Sequence, residues 1–155
     1  ADLDVDTKAT YQAKLEAVLK ESYRLLSIGA GEMDFSNVLL DSNEIAKCVP
    51  TPLENEDDVT TAEENARKKA IGASVTNVSV TPDDTLEGYP DAYTYRLDGN
   101  DGIVMDVKIK VSTTNGDARV KATINMRLIN GAWKVVSIDS SKDIFTELSV
   151  LDPEW

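Results

Sequence analysis

The stretch IVMDVKIKVSTTNGDARVKATINMRLINGAWKVVSID, residues 103–139, decides the fold. Ile103, Met105, Val107, Ile109 and Val111 alternate with Val104, Asp106, Lys108 and Lys110. Val120, Ala122, Ile124, Met126 and Leu128 alternate with Arg119, Lys121, Thr123, Asn125 and Arg127. A third run, Ala132 to Asp139, opens with Trp133 and Val135. A period of two marks strands with one dry and one wet face. Asn115-Gly116-Asp117 and Asn130-Gly131 carry turn chemistry, Asn-Gly supplying the positive φ angles of a type I′ hairpin. The stretch reads as an antiparallel meander with a single apolar face.

That face needs a cover, and the N-terminal segment supplies one. Tyr11, Leu15, Val18, Leu19, Leu25 and Leu26 fall at helical spacing, with Lys14, Glu16, Lys20, Glu21 and Arg24 elsewhere and Glu16–Lys20 as an i,i+4 pair. The pattern predicts a helix over about residues 6–27, stopped by Gly29 and Gly31. Glu32-Met33-Asp34-Phe35 follows as a connector with two anchoring apolar side chains. Asp41 and Glu44 cap a short helix that Pro50 and Pro52 end, and Glu54, Glu56, Asp57 and Asp58 make an acidic loop. Thr61 and Glu64 open another helix to about Gly72, whose expected buried side is Ala62, Ala66, Ala70 and Ile71. Ala73–Thr81 and Tyr93–Asp98 read as further strands, and Ile144, Phe145 and Leu148 as one helical turn. The whole chain, 1–155, reads as one domain of the α+β class, N-terminal helices packed on a curved antiparallel sheet.

Composition narrows the function. A formal net charge of −12 disfavours nonspecific attraction to nucleic acid or an anionic membrane. No apolar run approaches the roughly 20 residues needed to cross a bilayer, so direct membrane insertion of this segment is not expected. With His absent and Cys48 alone, neither a His-dependent triad nor a His/Cys metal cluster is available, and no Gly-rich phosphate loop of the required spacing exists. No cofactor or metal is expected. Asp98-Gly-Asn-Asp-Gly102 superficially suggests calcium. The EF-hand pattern, however, would want an acid or Asn where Gly102 stands and Glu where Ile109 stands, so a turn explains it better. Asn77-Val78-Ser79 matches a glycosylation sequon but falls in a predicted strand.

The order of helices then strands resembles the cone-shaped fold of nuclear transport factor two, ketosteroid isomerase and SnoaL-like proteins. The most specific local piece is Leu128-Ile129-Asn130-Gly131-Ala132-Trp133-Lys134-Val135-Val136-Ser137-Ile138, a polar hairpin turn, a Trp and a Val-rich strand. It looks like the divergent branch found in extracellular lipoproteins of Gram-positive bacteria. The cystatin-like fold, one helix wrapped by a sheet, is the nearest alternative. The chain begins at Ala1 rather than Met, as expected where a leader has been removed. With the lipoprotein resemblance, the expectation is an extracytoplasmic protein, secreted or lipid-anchored.

Enzymes of that superfamily place a carboxylate or His, often with Tyr, inside the cone. Here the inward positions of the two best strands are all non-ionisable, and Asp106 falls on the opposite face, out of reach of a substrate in the cone. No catalytic residue is expected. Tyr93, Tyr95, Met105, Met126 and Trp133 are the candidates for lining an apolar pocket, or for filling it. The function expected is a non-enzymatic binding or interaction domain; the alternative is a small-molecule enzyme or carrier using the cavity. The outward positions are less ordinary. Arg96, Lys108, Lys110, Arg119, Lys121, Arg127 and Lys134 stand against Asp98 and Asp106, a balance of +5 that leaves −17 for the rest of a chain totalling −12. Lys108, Lys110, Arg119, Lys121 and Arg127 are therefore the candidate interaction face, for an acidic partner or a second copy. A merely solvated face would also use Lys and Arg, since Lys discourages edge-to-edge pairing.

Overall fold

The computed structural model describes residues 5–38, 59–83, 95–140 and 142–151. Helix α1 spans Val5–Ser27 and a helical turn, α2, spans Glu32–Phe35; helix α3 spans Val59–Ser74. Strands β1 (Val75–Pro82), β2 (Tyr95–Asp98), β3 (Gly102–Thr113), β4 (Gly116–Ile129) and β5 (Ala132–Ser140) follow, then helix α4, Ile144–Ser149. The short helix expected at Asp41–Val49 and the acidic loop after it lie outside the described residues.

The sheet is antiparallel throughout, in the order β1-β3-β4-β5, with β2 also on β3. β2 pairs with the first half of β3 (Tyr95↔Met105 to Asp98↔Gly102) and β1 with the second half (Val75↔Thr113 to Pro82↔Val107). The two thus share one edge of β3 end to end, and the Asp83 N–H bonds to the Asp106 carbonyl between them at 2.9 Å. The last four strands form the expected meander. At its final turn Asn130 (φ 52°) and Gly131 (φ 81°) are the paired positive-φ residues of a type I′ hairpin. The β3–β4 turn differs. Thr113 pairs with Gly116, so the two-residue loop is Thr114-Asn115 rather than Asn115-Gly116. The Thr113 hydroxyl organises it, accepting from Asn115 N–H at 3.1 Å and donating to the Gly116 carbonyl at 2.7 Å. A side chain, not a second Asn-Gly pair, sets that register.

Ile103, Met105, Val107, Ile109, Val111, Ala118, Val120, Ala122, Ile124 and Met126 are all buried, as their alternation requires. Leu128, expected inward, is 39% exposed at the end of β4, where the sheet runs out past the core. Helix α1 buries Leu15, Val18, Leu19, Tyr23, Leu25 and Leu26. Its backbone runs closest to the outer strands β1 and β5, so it bridges the curved sheet while its side chains fill the hollow above β3 and β4. The helix ends in a Schellman motif, Ala30 N–H to Leu25 O (3.0 Å) and Gly29 N–H to Leu26 O (3.1 Å). Of the two connector side chains expected to anchor, Phe35 is buried and Met33 is 87% exposed.

Helix α3 departs most from expectation. Ala62, Ala66 and Ala70 face solvent, and Lys68, Ile71, Gly72 and Ser74 are buried instead. Gly72 decides the orientation. A Cβ there would lie 2.8 Å from Ser27 N and 3.0 Å from the Tyr23 carbonyl, so only a glycine lets α3 come this close to α1. Lys68 lies between helices, 3.7 Å from Glu64 and with its ammonium 5.3 Å from the Phe145 ring centre. Arg67 reaches the Ser149 carbonyl at the end of α4. Helix α4 itself is capped by Asp143, whose carboxylate accepts the Phe145 N–H at 2.8 Å.

Two strand edges are covered. The Val80 N–H and C=O on the open side of β1 bond to Glu16 (2.8 Å) and Gln12 (3.1 Å) of α1. On β5, the Val135 N–H bonds to the Val38 carbonyl at 3.0 Å. Such unpaired main-chain rows otherwise invite another strand.

Candidate functional site

The outward residues of β1, β3 and β4 line up in two rows. Thr81 is opposite Lys108, which is opposite Lys121; Ser79 is opposite Lys110, which is opposite Arg119. Directly opposed residues sit about 5 Å apart, so four cations occupy one small patch of the sheet. The strands hold them there because the adjoining inward residues, Val107, Ile109, Val120 and Ala122, are locked in the core. A concave site of about 600 Å³ lies over this patch, lined by Ser79, Thr81, Lys108, Ile109, Lys110, Arg119, Val120, Lys121 and Lys142.

Lys142 is the residue that sequence reasoning missed. β5 ends at Ser140, opposite Ala122, and the chain then turns past the edge of β4. The buried Ser140 hydroxyl makes that turn: it lies 3.2 Å from the Lys121 carbonyl and 2.9 Å from the Lys142 carbonyl, and accepts the Lys142 N–H at 3.3 Å. No periodicity could announce this, since the contact depends on where β5 stops.

Arg127 does not join the cluster. It is six residues from Lys121 along β4, about 20 Å at strand rise. Its guanidinium holds Asp98 at 2.7 Å and Asp101 at 3.4 Å. The acids of the β2–β3 turn therefore bind a cation of the protein itself. Arg96 is likewise 3.4 Å from Asp106, which also accepts the Thr123 hydroxyl at 2.6 Å, and Lys134 donates to the Ser36 carbonyl at 3.0 Å. The register also adds two outward acids that the sequence count left out, Asp117 (opposite Ser112) and Asp139 (opposite Thr123). Seven positives against four negatives make the face +3 rather than +5. The excess is uneven, however: the acids gather toward the β2 and β5 ends, and within reach of the two rows Asp117 pairs with Arg119 at 3.7 Å.

On the inner face, Tyr95, Met105 and Met126 are fully buried in the core, Tyr95 directly opposite Met105. Trp133 is half-buried at the start of β5, edge-on to Tyr11 with ring centres 5.5 Å apart, and the Lys14 ammonium is 5.9 Å from its ring centre. Tyr93 lies outside the described residues. The Tyr95 hydroxyl is buried without a hydrogen-bond partner among the described residues. Burial, and secondarily the negative charge of Glu16, push its pKa well above the ordinary phenol value. Among the described residues no cluster of His, Cys, Asp or Glu suits a metal ion. No helix among them is long and apolar enough to cross a membrane.

Among the described residues, helices packed on an open, curved antiparallel sheet of five strands define an α+β domain with the layout implied by the NTF2-like resemblance. No family model matches the sequence, and no curated protein matches it either. Among solved structures it is similar to a designed NTF2-like protein, Rd1NTF2_05 carrying five substitutions, at TM-score 0.44 and 14% identity over 89% of this chain and 100% of that one. It is similar to a Xanthomonas campestris protein named for a calcium/calmodulin dependent protein kinase II association domain, at TM-score 0.37 and 11% identity over 88% of this chain and 82% of that one. It is also similar to the Kfla4162 protein of Kribbella flavida, at TM-score 0.37 and 11% identity over 90% of this chain and 93% of that one.

Proposed function

We propose that this chain is a non-enzymatic binding domain that works outside the cytoplasm and engages an acidic partner through the outer face of its sheet. The observation that carries the reading is the pair of rows Thr81-Lys108-Lys121 and Ser79-Lys110-Arg119, closed at one end by Lys142 over a concave site. Like charges in opposed strand positions destabilise the free protein slightly, and an anion between them relieves that cost. Binding rather than catalysis is favoured by the inner face, where Ile103 to Val111 of β3 and Ala118 to Met126 of β4 present only hydrocarbon and thioether side chains. The extracytoplasmic placement rests on the lipoprotein resemblance alone.

The test is binding of poly-glutamate, with sedimentation in parallel, for the native protein and Lys108→Glu/Lys121→Glu. Exposed ion pairs are individually weak and are screened over about 8 Å at physiological salt, so affinity should fall steeply as salt rises. The expected result is binding by the native protein at low salt and loss in the double variant. If both proteins stay monomeric and bind nothing at low salt, the face is solvated surface.

A further inference from the structure

The two rows differ from a merely positive surface in how their donors are arranged. Each row draws a hydroxyl from β1, a lysine from β3 and a second cation from β4: Thr81-Lys108-Lys121 in one, Ser79-Lys110-Arg119 in the other. Each therefore carries two positive charges and one hydroxyl, and among the described residues no carboxylate lines the hollow above them. A carboxylate is a monoanion with two oxygens, and in such a row it leaves one cation unmatched. A phosphate monoester is nearly a dianion at neutral pH and offers three acceptor oxygens. Lysine meets phosphate as a point charge, without the planar fork that suits carboxylates. The rows are two residues apart on each strand, about 7 Å at strand rise. Asp117, 3.7 Å from Arg119, lowers the charge of the second row, while Lys142 adds to the first at its Lys121 end.

We propose that the site takes a small organic molecule bearing two phosphate monoesters, one seated on each row and about 7 Å apart. This inference rests on the anion-binding reading above and names the chemical class of the partner. Size selects a small molecule. The hollow holds about 600 Å³, within the range of small-molecule sites, whereas a folded partner needs a broad surface. Charge selects phosphate, since a dianion on each row matches the two cations there and its third oxygen can accept from the β1 hydroxyl. A second copy is a poorer occupant. On this face Asp98, Asp106 and Asp117 already hold Arg127, Arg96 and Arg119 of their own chain, so these acids are engaged before a copy could offer them.

The probe is trimethylene glycol bisphosphate, whose extended chain spaces its phosphates at about the row separation. Calorimetric titration of the full chain at low salt compares it with the bis-sulfate of the same diol, glutarate, pyrophosphate and methyl phosphate. The bisphosphate should bind on the order of tenfold more tightly than each of the others. Its affinity should fall severalfold from about pH 7.5 to 5.5, as the second phosphate ionisation near pH 6 is reversed, while that of the bis-sulfate, charged throughout, holds. Lys110→Gln/Arg119→Gln removes one row. It should cost the bisphosphate on the order of tenfold and methyl phosphate, which keeps the other row, only about twofold. The ranking on the native protein stands without any variant. A bis-sulfate or glutarate bound as tightly as the bisphosphate, with poly-glutamate also bound, overturns the phosphate assignment and leaves the anion-binding face standing. Pyrophosphate or methyl phosphate bound as tightly overturns the two seats. Failure of every anion, poly-glutamate included, removes the face as well. Dimers in sedimentation that exclude the bisphosphate show a second copy in the hollow, and they too overturn the proposal.

Discussion

Gly72→Ala is the substitution in which two ordinary effects oppose each other and the structure decides the sign. Within a helix, alanine is favoured over glycine by about 1 kcal/mol, so the sequence alone predicts a gain. The added methyl, however, would lie 2.8 Å from Ser27 N, 3.0 Å from the Tyr23 carbonyl and 3.0 Å from Leu26 Cβ. Two of these neighbours are backbone atoms of α1 and cannot turn aside as a flexible side chain does. Relief requires α3 to withdraw, loosening Ile71, which is fully buried beside it. Overpacking of this kind costs about 1–3 kcal/mol. Backbone neighbours place Gly72 at the upper end, so after subtracting the helix gain the net loss is about 2 kcal/mol. For a chain of this size that lowers Tm by about 4–8 °C. Thermal unfolding followed by circular dichroism reads it, with Ala70→Gly on the exposed side of the same helix as the control, expected to cost about 1 kcal/mol. A Gly72→Ala protein melting at or above the native temperature, while Ala70→Gly falls as expected, refutes the close approach of α3 to α1.

Ile124→Asp places a carboxylate between Met105 and Ile138 at a fully buried position and should cost on the order of 3–5 kcal/mol in urea unfolding; an unchanged midpoint would mean that the sheet register is wrong. Tyr95→Phe removes a buried hydroxyl that has no hydrogen-bond partner among the described residues and should stabilise by about 1 kcal/mol. Because burial and Glu16 raise the Tyr95 pKa, the unfolded chain ionises near pH 10 while the native protein does not. Stability from this group is intact below about pH 10 and is lost as pH rises above it, a loss absent from the phenylalanine variant in alkaline unfolding curves.

The strands were legible because nothing competes with alternation from Ile103 to Val111 and from Ala118 to Met126, where each inward residue is apolar. Helix α3 was misjudged for a physical reason. Its alanines look like a close-packing stripe, but burying them would contribute little area, and the closest approach is set by Gly72 alone. Lys68 could then be buried because Glu64, one turn back on the same helix, and the Phe145 ring meet its ammonium, and the second contact joins distant segments that no local pattern reveals. The same distinction holds for the site. Lys108, Lys110, Arg119 and Lys121 could be placed on one face from parity, whereas Arg127 could not be excluded until the β2–β3 turn was seen to hold it, nor Lys142 included until β5 was seen to stop at Ser140.

The other outward cations of the sheet are placed differently from those of the two rows. Where Arg96, Arg127 and Lys134 lie on this sheet, each meets an oxygen supplied by another strand or loop: Asp106, Asp98 with Asp101, and the Ser36 carbonyl. These contacts pin β2, the β2–β3 turn and the α2 connection to the sheet, so the cations there have structural work. The two rows on β1, β3 and β4 are composed differently. Their six positions hold four cations and two hydroxyls and no acid, although a single Glu at position 79 or 81 would be compatible with an exposed strand and would lower the repulsion. A face selected only for solubility gains from mixing signs, since neighbouring opposite charges on adjacent strands attract. Concentrating one sign in these two rows forgoes part of that gain. Asp117 offsets part of it beside Arg119, and under the binding proposed above an acidic partner adds to that.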